Sequence, residues 1–344
     1  MVLGVRSVFI HDIYKHYGLS AGGRFRLAGY EAAVTNKGVF IIVPADHVSK
    51  PIIEEWKMIG SHLQYKGERN AALVYLSNRQ QAVTTIEGKK AVLLHCQFSE
   101  ARQHNSLAEQ LALFHERGKG YRGIEKNSYL PWNKRWETRI DQLEHWLTEE
   151  VSKQEKKAVF DEVCLQSFSY FQGLAENAIQ YFVDTQIEQG WIQGQDLTIA
   201  HHRFHEQSWL FIPQLNQRLK LPFHWLIDHP MRDLAEYIRP TLLKANSFDK
   251  SMRMIHRYTK RSPLTSKEYR LLFSRLLFPL YYVEYIEGYY SSKEDKQKQW
   301  YAKKMNELLE RTGEMEEALK KLQHHFSQLT SLPKVEWLTK KAAT

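Results

Sequence analysis

Ile199-Ala200-His201-His202-Arg203-Phe204-His205-Glu206-Gln207-Ser208 interrupts a half of the chain that otherwise reads as helix. From residue 197 to 226 the 3.6-residue recurrence of apolar side chains fails, and short apolar pieces alternate with His, Arg, Gln and Pro. Loops and short strands are expected there. On either side the helical period is clear. Leu107, Leu111 and Phe114 mark one helix, Trp136, Ile140, Leu143 and Leu147 a second, and residues 160–185 a long third. Residues 234–243, 252–258 and 266–290 give three more.

The first hundred residues carry the strand signals instead. Residues 24–27 and 30–35 precede the turn Asn36-Lys37-Gly38 and the apolar run 39–43, which together predict a hairpin. Between Ser49 and Tyr65 the residues Ile52, Ile53, Trp56, Ile59 and Leu63 recur at helical spacing, with Pro51 just inside the start and Ser49 as N-cap. Two further strands fit residues 71–76 and 91–96. The predicted order is three strands, one helix, two strands.

A chain of 344 residues is long enough for two folding units, and 43% apolar with 25% charged residues is the mix of a core-forming protein. Arg6, His11, Asp12 and Lys15 interrupt the N-terminus, so no cleaved signal peptide is expected. The most apolar stretch, residues 271–286, is broken by Arg275 and Glu284, which argues against a membrane span. Cys96 and Cys164 stand at no metal-like spacing, which argues against a disulfide framework and a cysteine zinc site. The net charge of +9 favours contact with an acidic surface or partner. Basic residues are spread along the chain without an Arg-rich arm, which disfavours nucleic acid.

The element order and four motifs resemble the kinase-like fold of aminoglycoside and choline kinases. Residues 107–115 are similar to the first helix of its larger lobe. The stretch 199–208 resembles the catalytic-loop pattern H-G-D-L-H-x-x-N, Leu226-Ile227-Asp228 the metal-binding strand end, and Asp233-Leu234-Ala235 the D-L-A helix start. Tyr258-Thr259-Lys260-Arg261-Ser262-Pro263-Leu264-Thr265, Glu268, Leu277-Phe278-Pro279 and Tyr289-Tyr290 look like landmarks of the CotS-like spore coat branch. The resemblance covers residues 10–292. It implies an α+β, two-lobed protein-kinase-like fold: a small antiparallel N-lobe with one helix at 1–97 and a larger, mainly α C-lobe at 98–292. Residues 293–344 would add a C-terminal amphipathic helix and tail.

Phosphoryl transfer in that fold needs a carboxylate base, an amide and a carboxylate for magnesium, and a lysine for the phosphates. On this resemblance Arg203 stands at the base position, where a guanidinium cannot accept a proton. Ser208 replaces the metal-binding amide with a single hydroxyl. The strand Val39-Phe40-Ile41-Ile42-Val43-Pro44 has no lysine. Asp228 is either a remnant metal-site carboxylate or a carboxylate closing a strand, since only four residues separate it from Asp233, the structural helix start. His201, His202 and His205 are expected to be structural rather than metal ligands, Gly22-Gly23 to form a plain turn, and no cofactor or metal is expected.

Tyr301, Met305, Leu308, Thr312, Met315, Leu319, Leu322, Phe326 and Leu329 alternate spacings of four and three, predicting one long amphipathic helix. Its stripe is expected to pack on the C-lobe, with self-association as the alternative. The resemblance implies a non-catalytic pseudokinase, made in the cytoplasm and placed in the spore coat, with other coat proteins as partners. Two alternatives stay open. One is an active small-molecule kinase using Glu206 or Asp228 as base; the other is a ligand sensor in the former nucleotide cleft.

Overall fold

The computed structural model describes residues 2–27, 29–96, 98, 105–124, 129–213, 215–242, 244 and 246–339. Contacts divide the chain into two units, each drawing on two segments: 1–124 with 198–228, and 125–197 with 229–344. The loop-rich segment therefore groups with the sheet rather than with the helices that flank it in sequence.

The first unit is built on six antiparallel strands: β1 Ala21–Leu27, β2 Tyr30–Thr35, β3 Gly38–Pro44, β4 Leu73–Tyr75, β5 Val83–Ile86 and β6 Lys89–Cys96. Their order is β1-β2-β3-β6-β4, with β5 also on β6. β3 is apolar without alternation because both faces of the sheet are covered. Ile41 and Val43 point to one core and Phe40 and Ile42 to the other. Helix α2, Lys50–Tyr65, closes the first face with Ile53 and Trp56. A helix that the sequence reading did not anticipate, α1 Val2–Tyr17, closes the second with Phe9, Ile13 and Tyr17, spaced four apart.

Strand β5 also escaped the sequence reading, because Val83-Thr84-Thr85-Ile86 is short and half polar. It is joined to β6 by Glu87 and Gly88, whose φ values of 51° and 78° make the tight turn a two-residue hairpin requires. Gly22 and Gly23 do not form a turn ahead of the sheet as expected. They lie inside the exposed edge strand β1, where the register shifts at a bulge.

Helix α3, Leu107–Gly118, begins with a capping box: Glu109 N–H donates to Ser106 Oγ, and Ser106 N–H to the Glu109 carboxylate. Four short strands complete this unit: β7 Thr198–His201, β8 Leu210–Ile212, β9 Gln217–Leu219 and β10 Trp225–Asp228. β7 pairs with β10 and β8 with β9, both antiparallel.

The second unit is helical. Its elements are α4 Trp132–Trp146, α5 Val159–Gln189, α6 Met231–Leu242, α7 Phe248–Arg261, α8 Ser266–Leu277, α9 Leu280–Ser291, α10 Asp295–Leu309, α11 Thr312–Leu329 and α12 Glu336–Thr339. Aromatic stacks fill its centre, with Trp136 on Phe278 at 4.6 Å and Phe171 on Tyr282 at 4.0 Å. The single helix expected over 266–290 is two, because Phe278 is extended and Pro279 cannot supply the next backbone donor. The tail likewise forms two helices where one was expected. Thr312 Oγ1 donates to the Leu309 carbonyl at 2.9 Å, satisfying an end of α10 as α11 begins. Met305, Met315, Leu319, Leu322 and Phe326 are buried, and α11 packs on α8.

Among the described residues, no helix is long and apolar enough to cross a membrane. Both cysteines are buried, and burial pushes each thiol up to about 12.

Candidate functional site

The stretch 201–209 joins β7 to β8, and its side chains segregate sharply. His201, Phe204 and Trp209 point inward, whereas His202, Arg203, His205, Glu206 and Gln207 are exposed. His201 and Trp209 meet Phe114 of α3, and Phe204 packs on both of them. Phe114 lies 5.1 Å from His201 and 5.5 Å from Trp209, and Phe204 lies 5.0 Å from Trp209. Trp209 Nε1 donates to His201 Nε2 at 3.0 Å, so this imidazole nitrogen serves as an acceptor inside the cluster. The main chain approaches just as closely behind it. Thr198 Oγ1 donates to the His115 carbonyl at 2.6 Å, and a Cβ on Gly118 would stand 2.8 Å from Ile199 N.

Ser208 fixes the turn of the loop. Its hydroxyl accepts from His205 N–H at 2.9 Å and donates to the Arg203 carbonyl at 3.2 Å, while Ser208 N–H donates to the His205 carbonyl at 3.0 Å. The hydroxyl proton and one lone pair are thus engaged within the loop. Arg203 is exposed, and a guanidinium offers only donors. Glu206, the loop's carboxylate, is exposed as well.

The segment lying against the loop is the short turn Pro222–His224. His202 N–H donates to the His224 carbonyl at 2.8 Å, and Trp225 pairs with His201. Residues 219–227, Leu-Lys-Leu-Pro-Phe-His-Trp-Leu-Ile, contain no carboxylate. Burial, then the imidazoles of His201 and His205, hold His224 below its ordinary value, so it is neutral at neutral pH.

Asp228 sits elsewhere. It is fully buried and pairs with Thr198, at the start of β7, three register steps from the His201–Trp225 pair. At about 3.3 Å per residue that is about 10 Å along the ribbon from the loop end. Asp233 is buried in the first turn of α6, in the second unit, where a carboxylate suits the positive end of the helix. Among the described residues no group of three or more His, Cys, Asp and Glu is arranged to hold a metal.

Phe223 occupies the space between the turn and the sheet. Its ring lies 5.4 Å from Tyr30 of β2 and 5.3 Å from Trp56 of α2, and it packs against the core that contains Val43 of β3, Leu219 and Leu221. Beneath the loop, Lys220 is 2.8 Å from Glu68 Oε1 and its ammonium lies 4.5 Å from the Trp209 ring centroid. Arg117 Nη1 takes the other Glu68 oxygen at 2.8 Å. Glu68, Lys220, Trp209 and Phe223 were absent from the sequence reading. The single hint was a charge inside the apolar run Leu219-Lys220-Leu221.

Solved structures share the fold. An aminoglycoside phosphotransferase from Alicyclobacillus acidocaldarius matches with a TM-score of 0.68 at 15% identity, over 91% of this chain and 94% of that one. The AMP-bound spectinomycin phosphotransferase matches with a TM-score of 0.60 at 13% identity, over 90% and 96%. In sequence the chain is 31% identical over 318 residues to the endospore coat-associated protein YutH of Bacillus subtilis strain 168, covering 90% of this chain and 92% of that protein. A family model described as "Spore coat putative kinase YutH" matches residues 10–322, past the Tyr289-Tyr290 landmark and into α11. The chain belongs to the spore coat YutH family.

Proposed function

We propose that this chain works in the spore coat without phosphotransfer, as a structural or scaffold component that engages other coat proteins through its surface. The observation that carries this reading is Phe223, wedged between Tyr30 and Trp56 on a turn with no carboxylate, against a loop whose base position is Arg203. An aromatic side chain there adds apolar packing and offers no ligand to magnesium, a cation that takes oxygen. Ser208, committed to its own loop, is a poor substitute for a metal-binding amide, and β3 brings no lysine toward a phosphate. Asp228, buried and paired at the far end of the ribbon, is on this reading a strand-closing carboxylate. Placement in the coat follows from the family, whose Bacillus subtilis member is named as coat-associated.

Thermal unfolding with and without magnesium and ATP tests the reading. A ligand at about a hundred times its Kd adds about 2.7 kcal/mol to the folded state, which raises the midpoint by roughly 2 °C or more. The expected shift at millimolar magnesium-ATP is none. A rise that requires magnesium would overturn the proposal in favour of a nucleotide-binding protein.

A further inference from the structure

Helix α7 carries five Lys and Arg against one Asp, a net of +4 within fourteen residues of a chain whose formal charge is +9. These charges share one face. Lys250, Arg253, His256, Arg257, Lys260 and Arg261 are exposed, whereas Ser251, Met254, Ile255 and Tyr258 are buried. At 3.6 residues per turn the six basic positions fall within an arc of about 140°, and the stripe runs about 16 Å along the axis. The buried side anchors the helix in its unit, with Tyr258 almost closed to solvent. The stripe is therefore held rigid rather than carried on a loose arm.

Among the described residues, four of these charges have no carboxylate partner. Elsewhere cations of this chain sit beside carboxylates, as Arg139 does with Glu287 and Lys267 with Asp196. Among the described residues, no carboxylate pairs with Lys250, Arg253, Arg257 or Lys260. Their spacing of three and four residues places like charges next to each other on the helix, which repel. A counter-charge laid along the stripe relieves that repulsion.

We propose that the exposed face of α7 is a docking surface for an acidic polypeptide segment of another protein. An extended segment advances about 3.3 Å per residue, so about five residues span the stripe and every second side chain meets a basic one. The surroundings separate this from other polyanions. Single-stranded nucleic acid is held by exposed aromatic platforms, and a membrane surface takes apolar side chains into its boundary. Among the described residues, no large apolar side chain is exposed on α7.

Binding of a fluorescent deca-glutamate peptide to the full chain, followed by anisotropy, tests the surface. Two charge-reversed variants change the net charge equally: Lys250→Glu/Arg253→Glu/Arg257→Glu/Lys260→Glu, and Lys15→Glu/Lys66→Glu/Lys119→Glu/Lys156→Glu at exposed sites elsewhere. The α7 variant should bind at least about tenfold more weakly than wild type and the control within about threefold, and wild-type binding should fall as salt screens the charges. Glutamine replacements at the same α7 positions give a second variant free of new repulsion and should show the same loss. Equal losses in both charge-reversed variants would reduce the effect to net charge and overturn the assignment. So would absence of peptide binding by wild type, or stripe-dependent binding of duplex DNA or phosphatidylglycerol vesicles that deca-glutamate does not displace.

Discussion

Lys220 Nζ lies 2.8 Å from Glu68 Oε1, and both side chains are closed to solvent. The pair joins two stretches far apart in sequence, and the backbone repeats the join. Lys220 N–H donates to the Asn70 carbonyl at 2.8 Å, and Ala72 N–H to the Lys220 carbonyl at 2.9 Å. Asn70 Nδ2 adds a bond to Gln217 Oε1 at 3.1 Å. The β8–β9 hairpin that follows the loop is thus stapled to the segment that follows α2.

Lys220→Met removes the ammonium but keeps most of the side chain's volume. Glu68 would retain Arg117 yet lose its fully buried partner. Breaking one side of a buried pair costs about 3–5 kcal/mol, and the remaining guanidinium puts the expectation near about 3 kcal/mol in urea unfolding. Lys220→Met combined with Glu68→Gln should recover part of that loss, since no carboxylate is then stranded.

Acid should act on the same pair. Burial pushes the Glu68 carboxyl up, but Lys220 and Arg117 together outweigh it and hold it below its unfolded value of 4.5. A carboxyl depressed in the folded state contributes fully above the unfolded value, and the contribution is lost as pH falls through the folded one. Urea midpoints measured from about pH 6 down to about pH 3 should therefore fall, and fall less steeply in Glu68→Gln.

Gly118→Ala tests how tightly α3 meets β7. The new Cβ would stand 2.8 Å from the backbone nitrogen of Ile199 and closer still to Thr198 Oγ1, so relief requires main chain to move. Overpacking of this kind costs about 1–3 kcal/mol. Serine at this position should be no better, because the clash begins at Cβ; a melt of either variant at wild-type temperature would show that the two elements can part.

Much of this was legible in the residues, and what was not has physical causes. The strands 30–35 and 39–43, the α2 period and the Leu107–Leu111–Phe114 spacing read directly, because apolar side chains recur with the period of the element they build. Helix α1 did not: its three buried residues are spaced four apart, but Val8, Ile10 and Tyr14 are apolar and exposed, so no single apolar face stands out, and β5 offers only Val83 and Ile86. Loop residues Arg203 and Ser208 could be singled out by motif, but not the hydrogen bonds that Ser208 makes. The place of Asp228 depends on strand register, which the tetrapeptide Trp225-Leu226-Ile227-Asp228 does not encode. The Glu68–Lys220 pair spans 152 positions and leaves no local pattern.

On the proposed reading, Arg203→Asp with Ser208→Asn would put a carboxylate and an amide at the base and metal positions of the loop while leaving Phe223, the carboxylate-free turn and the lysine-free β3 unchanged. If those surroundings decide the chemistry, the double variant should show no magnesium-ATP stabilisation and no ATP turnover. It should also lose stability by about 1 kcal/mol, the worth of a hydrogen bond such as those Ser208 makes across the turn. Hydrogen exchange at the His205 amide, which Ser208 Oγ accepts, should quicken in the same variant.

Phe326→Ala separates two uses of the C-terminal stripe. The ring is buried, lies 5.0 Å from Tyr269 of α8, and shares its face of α11 with Met315, Leu319 and Leu322. If the stripe belongs to the core of its own unit, truncation leaves a cavity and costs about 3–5 kcal/mol. The midpoint would then drop by the same amount at every protein concentration. If the stripe instead joined two chains, the folded state would be stabilised by association, and both the wild-type midpoint and the size of the loss would depend on concentration. Leu329, exposed on the same helix, supplies the control: Leu329→Ala removes an apolar side chain outside the packed face and should leave the midpoint within about 0.5 kcal/mol of wild type. A concentration-independent loss in Phe326→Ala beside an unchanged Leu329→Ala is the expected result, because a residue that already touches α8 has no free face to offer a second chain.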